Sequence, residues 1–202
     1  MTRSREFRLD YAVESAGSSG VRKVELWGTS DMGKTWSTWK LDEDRQSPVD
    51  VTVEDEGIYG FRVVVVASNG LAGSVPRNGD PADLWVGVDT VLPKVRLTSA
   101  TYGQEQHFGQ LDIRWDADDR WLAERPITLL FSDKPEGPWT TIRSGLPDTG
   151  QLYWPIGPRV PDKIYLRIEV RDQAGNTASH QLTEAIPISG LFPTARIRGI
   201  LP

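Results

Sequence analysis

Residues 59–65 read Tyr-Gly-Phe-Arg-Val-Val-Val, and residues 164–170 read Ile-Tyr-Leu-Arg-Ile-Glu-Val. Both stretches alternate apolar side chains with other residues, and they lie 105 residues apart. Two further pairs of segments match in the same order at offsets of 104 and 103 residues: Phe7–Val13 with Leu111–Ala117, and Val24–Trp36 with Ile127–Trp139. Three ordered matches at nearly one offset indicate an internal repeat, so the chain consists of two related units of about 100 residues each.

The matched segments have a period of two residues, which is typical of β-strands with one buried face. Turn signals rich in Gly, Pro and Asn separate these segments, whereas no long segment has the period of a helix. This pattern predicts an all-β protein made of two tandem antiparallel β-sandwiches. We expect domain 1 at residues 1–90, domain 2 at 91–189, and a tail or an extra strand at 190–202.

The composition excludes several classes of protein. The net charge is −5, with 10 basic and 15 acidic residues in 1–92 and 13 of each in 93–202, so the chain has no basic excess with which to bind nucleic acid. It has no cysteine, and therefore no disulfide, thiolate zinc site or cysteine nucleophile. The longest apolar run, residues 63–67, is far shorter than the roughly 20 residues of a membrane helix, so we expect no membrane insertion.

The second unit resembles a fibronectin type III or bacterial Ig-like domain. An early strand ends in Trp115, a later strand enters the hairpin Asp172–Asn176, and residues 88–93 are similar to the linkers that join such modules. Tyr59 falls where the family has a tyrosine, whereas the second unit has Ile164 there. The resemblance implies a non-catalytic spacer or adhesion segment of a larger exported protein, extracytoplasmic or at the cell surface, with a protein or polysaccharide partner and no cofactor.

The two ends of the chain do not match the repeat. The second unit has an opening strand, Val95–Leu97, before its Leu111 strand, whereas only six residues precede Phe7. We therefore expect an unpaired sheet edge near Phe7–Val13. Residues 193–200 alternate like one more strand and could serve as its donor, within the chain or from another copy. These features, with no recognisable signal peptide, are expected of a piece of a longer multidomain chain.

Residues 29–36, Thr-Ser-Asp-Met-Gly-Lys-Thr-Trp, satisfy the pattern of an Asp-box, which is similar to that of sialidase propeller blades. In such a turn the carboxylate of Asp31 accepts backbone hydrogen bonds, Gly33 takes a positive φ, Thr35 follows, and Trp36 packs under the turn. A propeller repeats about 40–50 residues over at least four blades, which one motif in 202 residues does not supply. We interpret the motif as a stabilising turn.

Oxygen-bearing side chains cluster in two loops that the sandwich fold brings to one end. Because Ca²⁺ binds 6–8 oxygen ligands, these side chains are candidates for a calcium site. The alternative is that Asp and Asn serve as ordinary turn residues that bind local backbone N–H groups. The candidate ligands are Asp116, Asp118, Asp119, Asp172 and Asn176.

Two tryptophans, Trp121 and Trp39, have no evident place in the predicted cores. Exposed aromatic rings bind sugars and proteins, so the alternative function is that of a carbohydrate-binding accessory module that uses these residues. An enzyme of unknown type is the least favoured function. His107 and His180 lack the spacing of metal ligands, and neither a nucleophile elbow nor a phosphate-binding loop is present.

Overall fold

The computed structural model describes residues 1–15, 18–188, 198 and 199. The chain divides into two compact units, unit 1 from Met1 to Val91 and unit 2 from Leu92 to Pro202. The extra strand expected in 190–202 lies outside the described residues, except for Arg198 and Gly199, which are exposed and belong to no strand. No helix in the described part of the chain is long and apolar enough to cross a membrane.

Unit 1 forms two antiparallel sheets. The larger sheet has the strand order β3-β2-β5-β6, and the smaller one contains only β1 and β4. Thr2 adds a parallel bridge to Val88 at the free edge of the larger sheet. The strands in the described residues of this unit are β1 (Glu6–Leu9), β2 (Val21–Thr29), β3 (Ser37–Asp42), β4 (Val49–Thr52), β5 (Gly57–Ala67) and β6 (Leu84–Val88).

Unit 2 repeats this plan with one more long strand. Its larger sheet has the order β10-β9-β12-β13, with the short β14 also paired to β12, and its smaller sheet has the order β11-β8-β7. A 3₁₀ turn, Glu105–His107, precedes β8. The strands in the described residues of this unit are β7 (Lys94–Tyr102), β8 (Gln110–Asp118), β9 (Leu122–Ser132), β10 (Thr140–Leu146), β11 (Gln151–Pro155), β12 (Lys163–Asp172), β13 (Thr177–Gln181) and β14 (Ile186–Pro187).

In each unit the two sheets bury their apolar faces against each other. Leu111 and Ile113 of the smaller sheet of unit 2 pack with Ile168 of the larger sheet, and all three are fully buried. In unit 1, Leu9 and Val51 pack with Phe61 in the same way. The prediction of an all-β fold with antiparallel sandwiches is therefore confirmed.

The unpaired edge expected in unit 1 is present among the described residues, because β1 pairs with β4 and with no other strand. The expected strand is shorter than Phe7–Val13. It ends at Leu9, because the Tyr11 backbone N–H leaves the ladder and donates to Ser47 Oγ at 2.9 Å. Among the residues that the structure describes, this sheet contains no strand that corresponds to β7 of unit 2.

Candidate functional site

The turn between β2 and β3 is held by the carboxylate of Asp31. Its Oδ1 accepts hydrogen bonds from the Thr35 backbone N–H at 2.9 Å and the Thr29 hydroxyl at 2.8 Å, and its Oδ2 accepts one from the Thr35 hydroxyl at 2.6 Å. These bonds, above all the one from the Thr35 hydroxyl, lower the pKa of Asp31 to about 2. The carboxylate is thus engaged within its own turn.

The same turn packs against the loop before β6. Gly33 has φ +84°, and a Cβ at this position would lie 2.8 Å from the backbone oxygen of Asp80. That oxygen accepts a hydrogen bond from Trp36 Nε1 at 3.3 Å, and the Gly33 oxygen accepts one from the Gly79 N–H at 2.7 Å. Gly33 therefore permits both the turn and its close contact with the neighbouring loop.

The loops at one end of unit 2 meet, as the calcium hypothesis requires. The Gln173 N–H donates to the Trp121 backbone oxygen at 2.8 Å, and the carboxylates of Asp119 and Asp172 lie within 4.8 Å of each other. Asp116 and Asp118 are exposed on β8, and neither belongs to a group of three acidic side chains that could share an ion among the described residues. The structure therefore does not bring these two residues into the candidate site.

The remaining candidate ligands are engaged in their own turns, Asp172 and Asn176 in the β12–β13 hairpin and Asp119 in the loop between β8 and β9. Asp172 is buried, and its Oδ1 accepts hydrogen bonds from the backbone N–H groups of Gly175 at 2.7 Å and Asn176 at 2.9 Å. Its Oδ2 accepts one from the Asn176 side-chain amide at 2.7 Å. Asp119 accepts a bond from the Trp121 backbone N–H at 2.6 Å. This is the geometry of turn residues, and calcium binding by Asp119, Asp172 and Asn176 stays a prediction.

Neither candidate tryptophan has a fully exposed ring. Trp121 is half-buried, and the Arg120 guanidinium lies 4.4 Å from its ring centre. Trp39 is also half-buried and makes edge contacts with the rings of Tyr59 and Phe61 at 5.7 and 5.5 Å. Its six-membered ring lies so close to Gly28 that a Cβ there would come within 2.3 Å of it. Each ring is therefore partly covered, and carbohydrate binding through Trp121 or Trp39 stays a prediction.

One side of Trp39 nevertheless borders a groove of about 610 Å³ in unit 1. Ser30 and Thr52 supply hydroxyl groups to its wall, and Glu54 and Asp55 supply carboxylates. Its wall is mostly polar and acidic, unlike the apolar lining of most small-molecule pockets. Sequence reasoning identified Trp39 but missed the acidic residues, because Trp39 lies on β3, the acidic residues follow β4, and the sequence does not show that these segments meet.

The two histidines are engaged in local contacts within unit 2. The His107 ring stacks on the Tyr153 ring at a centroid distance of 3.6 Å. His180 Nδ1 accepts a hydrogen bond from the Leu97 backbone N–H at 3.2 Å, which joins β13 to β7. Each imidazole therefore takes part in packing or in a contact between strands.

A three-stranded sheet that shares one core with a sheet of strand order β10-β9-β12-β13, to which the short β14 is added, defines unit 2 as a β-sandwich of the fibronectin type III/Ig-like class. Unit 1 has the same four-stranded order and the tyrosine corner of that class, because the Tyr59 hydroxyl donates to the Asp55 backbone oxygen at 2.7 Å. The chain is thus a tandem of two such sandwiches.

No family model matches the chain, and no curated protein matches it. Among solved structures it is similar to the fibronectin(III)-like modules of Clostridium thermocellum CbhA, with 20% identity and a TM-score of 0.47 over 88% of this chain and 83% of that one. It is also similar to the chicken CNTN1 FN1-FN3 domains, with 15% identity and a TM-score of 0.36 over 89% of this chain and 62% of that one. These similarities concern the fold alone.

Proposed function

We propose that this chain is a non-catalytic pair of β-sandwiches that acts as a structural spacer or interaction segment of a larger exported protein. One observation carries the proposal: three of the five carboxylates that the sequence singles out, those of Asp31, Asp119 and Asp172, accept hydrogen bonds from neighbouring residues of their own turns. Asp31 and Asp172 each accept several hydrogen bonds from their own turns. Asp148 accepts one from the indole N–H of the buried Trp115 at 2.8 Å. The hydrogen bonds that these carboxylates accept stabilise the loops of the two sandwiches.

A spacer of this design transmits force through folded units, so single-molecule extension tests the proposal. We expect two separate unfolding events, each releasing roughly 30 nm at about 3.4 Å per residue. Trp115→Ala provides the internal control, because it should weaken one event and leave the other unchanged. Extension without measurable resistance, or release of the whole chain in one event, would contradict the proposal.

The groove beside Trp39 favours a second function, binding of a carbohydrate. Sugar rings stack on aromatic side chains, and carboxylates accept hydrogen bonds from sugar hydroxyl groups. Affinity electrophoresis in soluble β-glucan, xylan and glycol chitin tests this alternative. Retardation that Glu54→Gln reduces and that Glu136→Gln, on an exposed turn of unit 2, leaves unchanged would support it. Equal mobility of the three proteins in every gel would exclude binding at this groove.

A further inference from the structure

Trp85 is the most exposed tryptophan of the chain. All eight tryptophans lie in the described residues; seven are buried or half-buried, whereas Trp85 is 38% exposed. It lies on β6, at the edge of the larger sheet of unit 1. An indole ring has a large apolar face and one N–H donor, so an exposed one on a folded sheet is a candidate for contact with a ligand.

The Trp85 side chain lies on the outer face of its sheet. Val86 and Val88 of β6 pack against the core of unit 1. Because successive side chains of a strand point to opposite faces, Trp85 points away from that core. It lies directly opposite Gly60 of β5, which alternates in the same way with the buried Tyr59. The ring is therefore on the side of the sheet that the smaller sheet does not cover.

Gly60 provides the space in which the Trp85 ring is held. A Cβ at Gly60 would lie 2.7 Å from Trp85 Cζ3, 2.8 Å from Ala82 Cβ and 2.9 Å from Thr29 Cγ2. The six-membered ring thus packs over the backbone of Gly60 and does not project freely into solvent. Under the 105-residue repeat, the equivalent of Gly60 in unit 2 is Tyr165, so unit 2 lacks this space. A ring that is already fixed loses less conformational entropy when a ligand binds to it.

Charged side chains border the ring on the same face. Arg62 follows Gly60 by two residues and is a diagonal neighbour of Trp85; the Cα atoms of such residues are about 7–8 Å apart. Its Nε lies 3.2 Å from Oδ1 of Asp83, and its Nη1 lies 3.8 Å from Oδ2 of Asp80. The Asp83 side chain is 61% exposed. Hydrogen-bond donors and acceptors are therefore available beside the ring.

This composition favours a sugar chain over a protein as the ligand. The central part of a protein interface is depleted in charged residues, whereas Arg62 and Asp83 lie beside Trp85. A sugar ring has an apolar C–H face that stacks on an indole, and its hydroxyl groups both donate and accept hydrogen bonds. A carboxylate and a guanidinium next to an aromatic ring match both properties.

The charge of the surface favours an uncharged polysaccharide. Two carboxylates, of Asp80 and Asp83, accompany the single guanidinium of Arg62. Residues 1–92 contain 10 basic and 15 acidic residues, a net charge of −5. Like charges repel, so an acidic polysaccharide would be disfavoured both at this surface and on approach to unit 1.

We infer that Trp85 is the stacking residue of a binding site for an uncharged polysaccharide. One sugar ring lies on the exposed face of the indole, and its hydroxyl groups bind Arg62 and Asp83. The inference goes beyond the proposed function, because a spacer requires no ligand. The site is also distinct from the groove beside Trp39, since Trp85 does not line that groove.

Affinity electrophoresis in gels that contain soluble β-glucan, arabinoxylan or polygalacturonate tests the inference. We expect at least one of the two uncharged polysaccharides to retard the parent chain, and the acidic polygalacturonate to leave its mobility unchanged. Trp85→Thr removes the ring but keeps a residue favoured in strands. It should raise the apparent Kd about tenfold or more, as the loss of a central aromatic contact does.

Two further variants separate stacking from folding. Trp85→Tyr keeps an aromatic ring and should retain most of the retardation. Tyr165→Thr removes a half-exposed ring at the position of unit 2 that is equivalent to Gly60, and this matched control should migrate like the parent. A Trp85→Tyr chain that binds no better than Trp85→Thr would contradict a stacking role.

The remaining outcomes distinguish this site from the other proposals. A parent chain that neither uncharged polysaccharide retards overturns the inference, and so does equal retardation by polygalacturonate. Retardation that Glu54→Gln reduces and Trp85→Thr leaves unchanged assigns the sugar to the groove beside Trp39, and only the present inference then fails. Two unfolding events under force would uphold the proposed spacer in every case.

Discussion

Single carboxylates stabilise the turns of this protein by accepting hydrogen bonds. Asp31 is the clearest example, because two hydroxyl groups and one backbone N–H donate to its oxygens. These donors favour the ionised form and lower the pKa of Asp31 to about 2, against 3.8 for an unperturbed side chain. The turn is consequently more stable when Asp31 is charged.

The lowered pKa predicts a pH dependence of stability. Because the folded-state pKa lies below the unfolded-state value, the contribution of Asp31 is complete above about pH 4 and is lost as the pH falls through about 2. We expect Asp31→Ala to lower the melting temperature at pH 6 and to differ less from the parent at pH 2. Asp133→Ala, on an exposed turn, is the control. A difference between Asp31→Ala and the parent that is independent of pH would contradict this assignment.

Strand β5 and its counterpart in the repeat, β12, have different side chains at the same buried position. Tyr59 on β5 is buried, its hydroxyl is held by the Asp55 oxygen at 2.7 Å, and burial raises its pKa. On β12, the equivalent position is the fully buried Ile164, and Tyr165 is half-exposed one residue later. Only the corner of unit 1 therefore depends on a tyrosine hydroxyl.

The two tyrosines form a matched pair for mutation. We expect Tyr59→Phe to lower the free energy of unfolding by about 0.5–1.5 kcal/mol, because the Asp55 oxygen loses its donor. Tyr165→Phe should change it by less than about 0.5 kcal/mol, as is usual for surface substitutions. Chemical denaturation of the full chain measures both values. Equal effects of the two variants would show that the corner hydrogen bond contributes little.

The whole molecule has two separate cores, one in each unit. The core of unit 2 includes Leu97 of β7, whereas Leu9, Leu26 and Phe61 of the unit 1 core line a groove. In a tandem of this kind each unit has its own free energy of unfolding. A single two-state unfolding transition therefore does not describe the whole chain.

Core substitutions in the full chain test this independence. Trp115 is 2% exposed and Leu26 is 1% exposed. We expect Trp115→Ala to destabilise unit 2 by about 3–5 kcal/mol and Leu26→Ala to destabilise unit 1 by about 2–5 kcal/mol. Calorimetry should show two transitions, of which each variant lowers one. A single transition that both variants lower equally would mean that the units unfold together.

The sequence by itself determined the local features of this protein. One-sided burial imposes a period of two residues, so the strands at Phe61 and Leu166 were predictable from their alternation. The turn at Asp31 was predictable because its partners lie within four residues of it. The open edge near Phe7 followed from counting strands in the repeat.

Only the tertiary structure decided which side chains meet across the fold. It left Asp116 and Asp118 on an exposed strand, packed Trp39 against Tyr59 and Phe61, and joined the Trp121 backbone to Gln173. These contacts depend on pairing and packing between segments that are distant in the chain. The alternation of apolar and polar side chains within one strand does not show which strand lies beside it. Val63 and Val65 likewise alternate as core residues do, yet they are only partly buried and line a groove of unit 1.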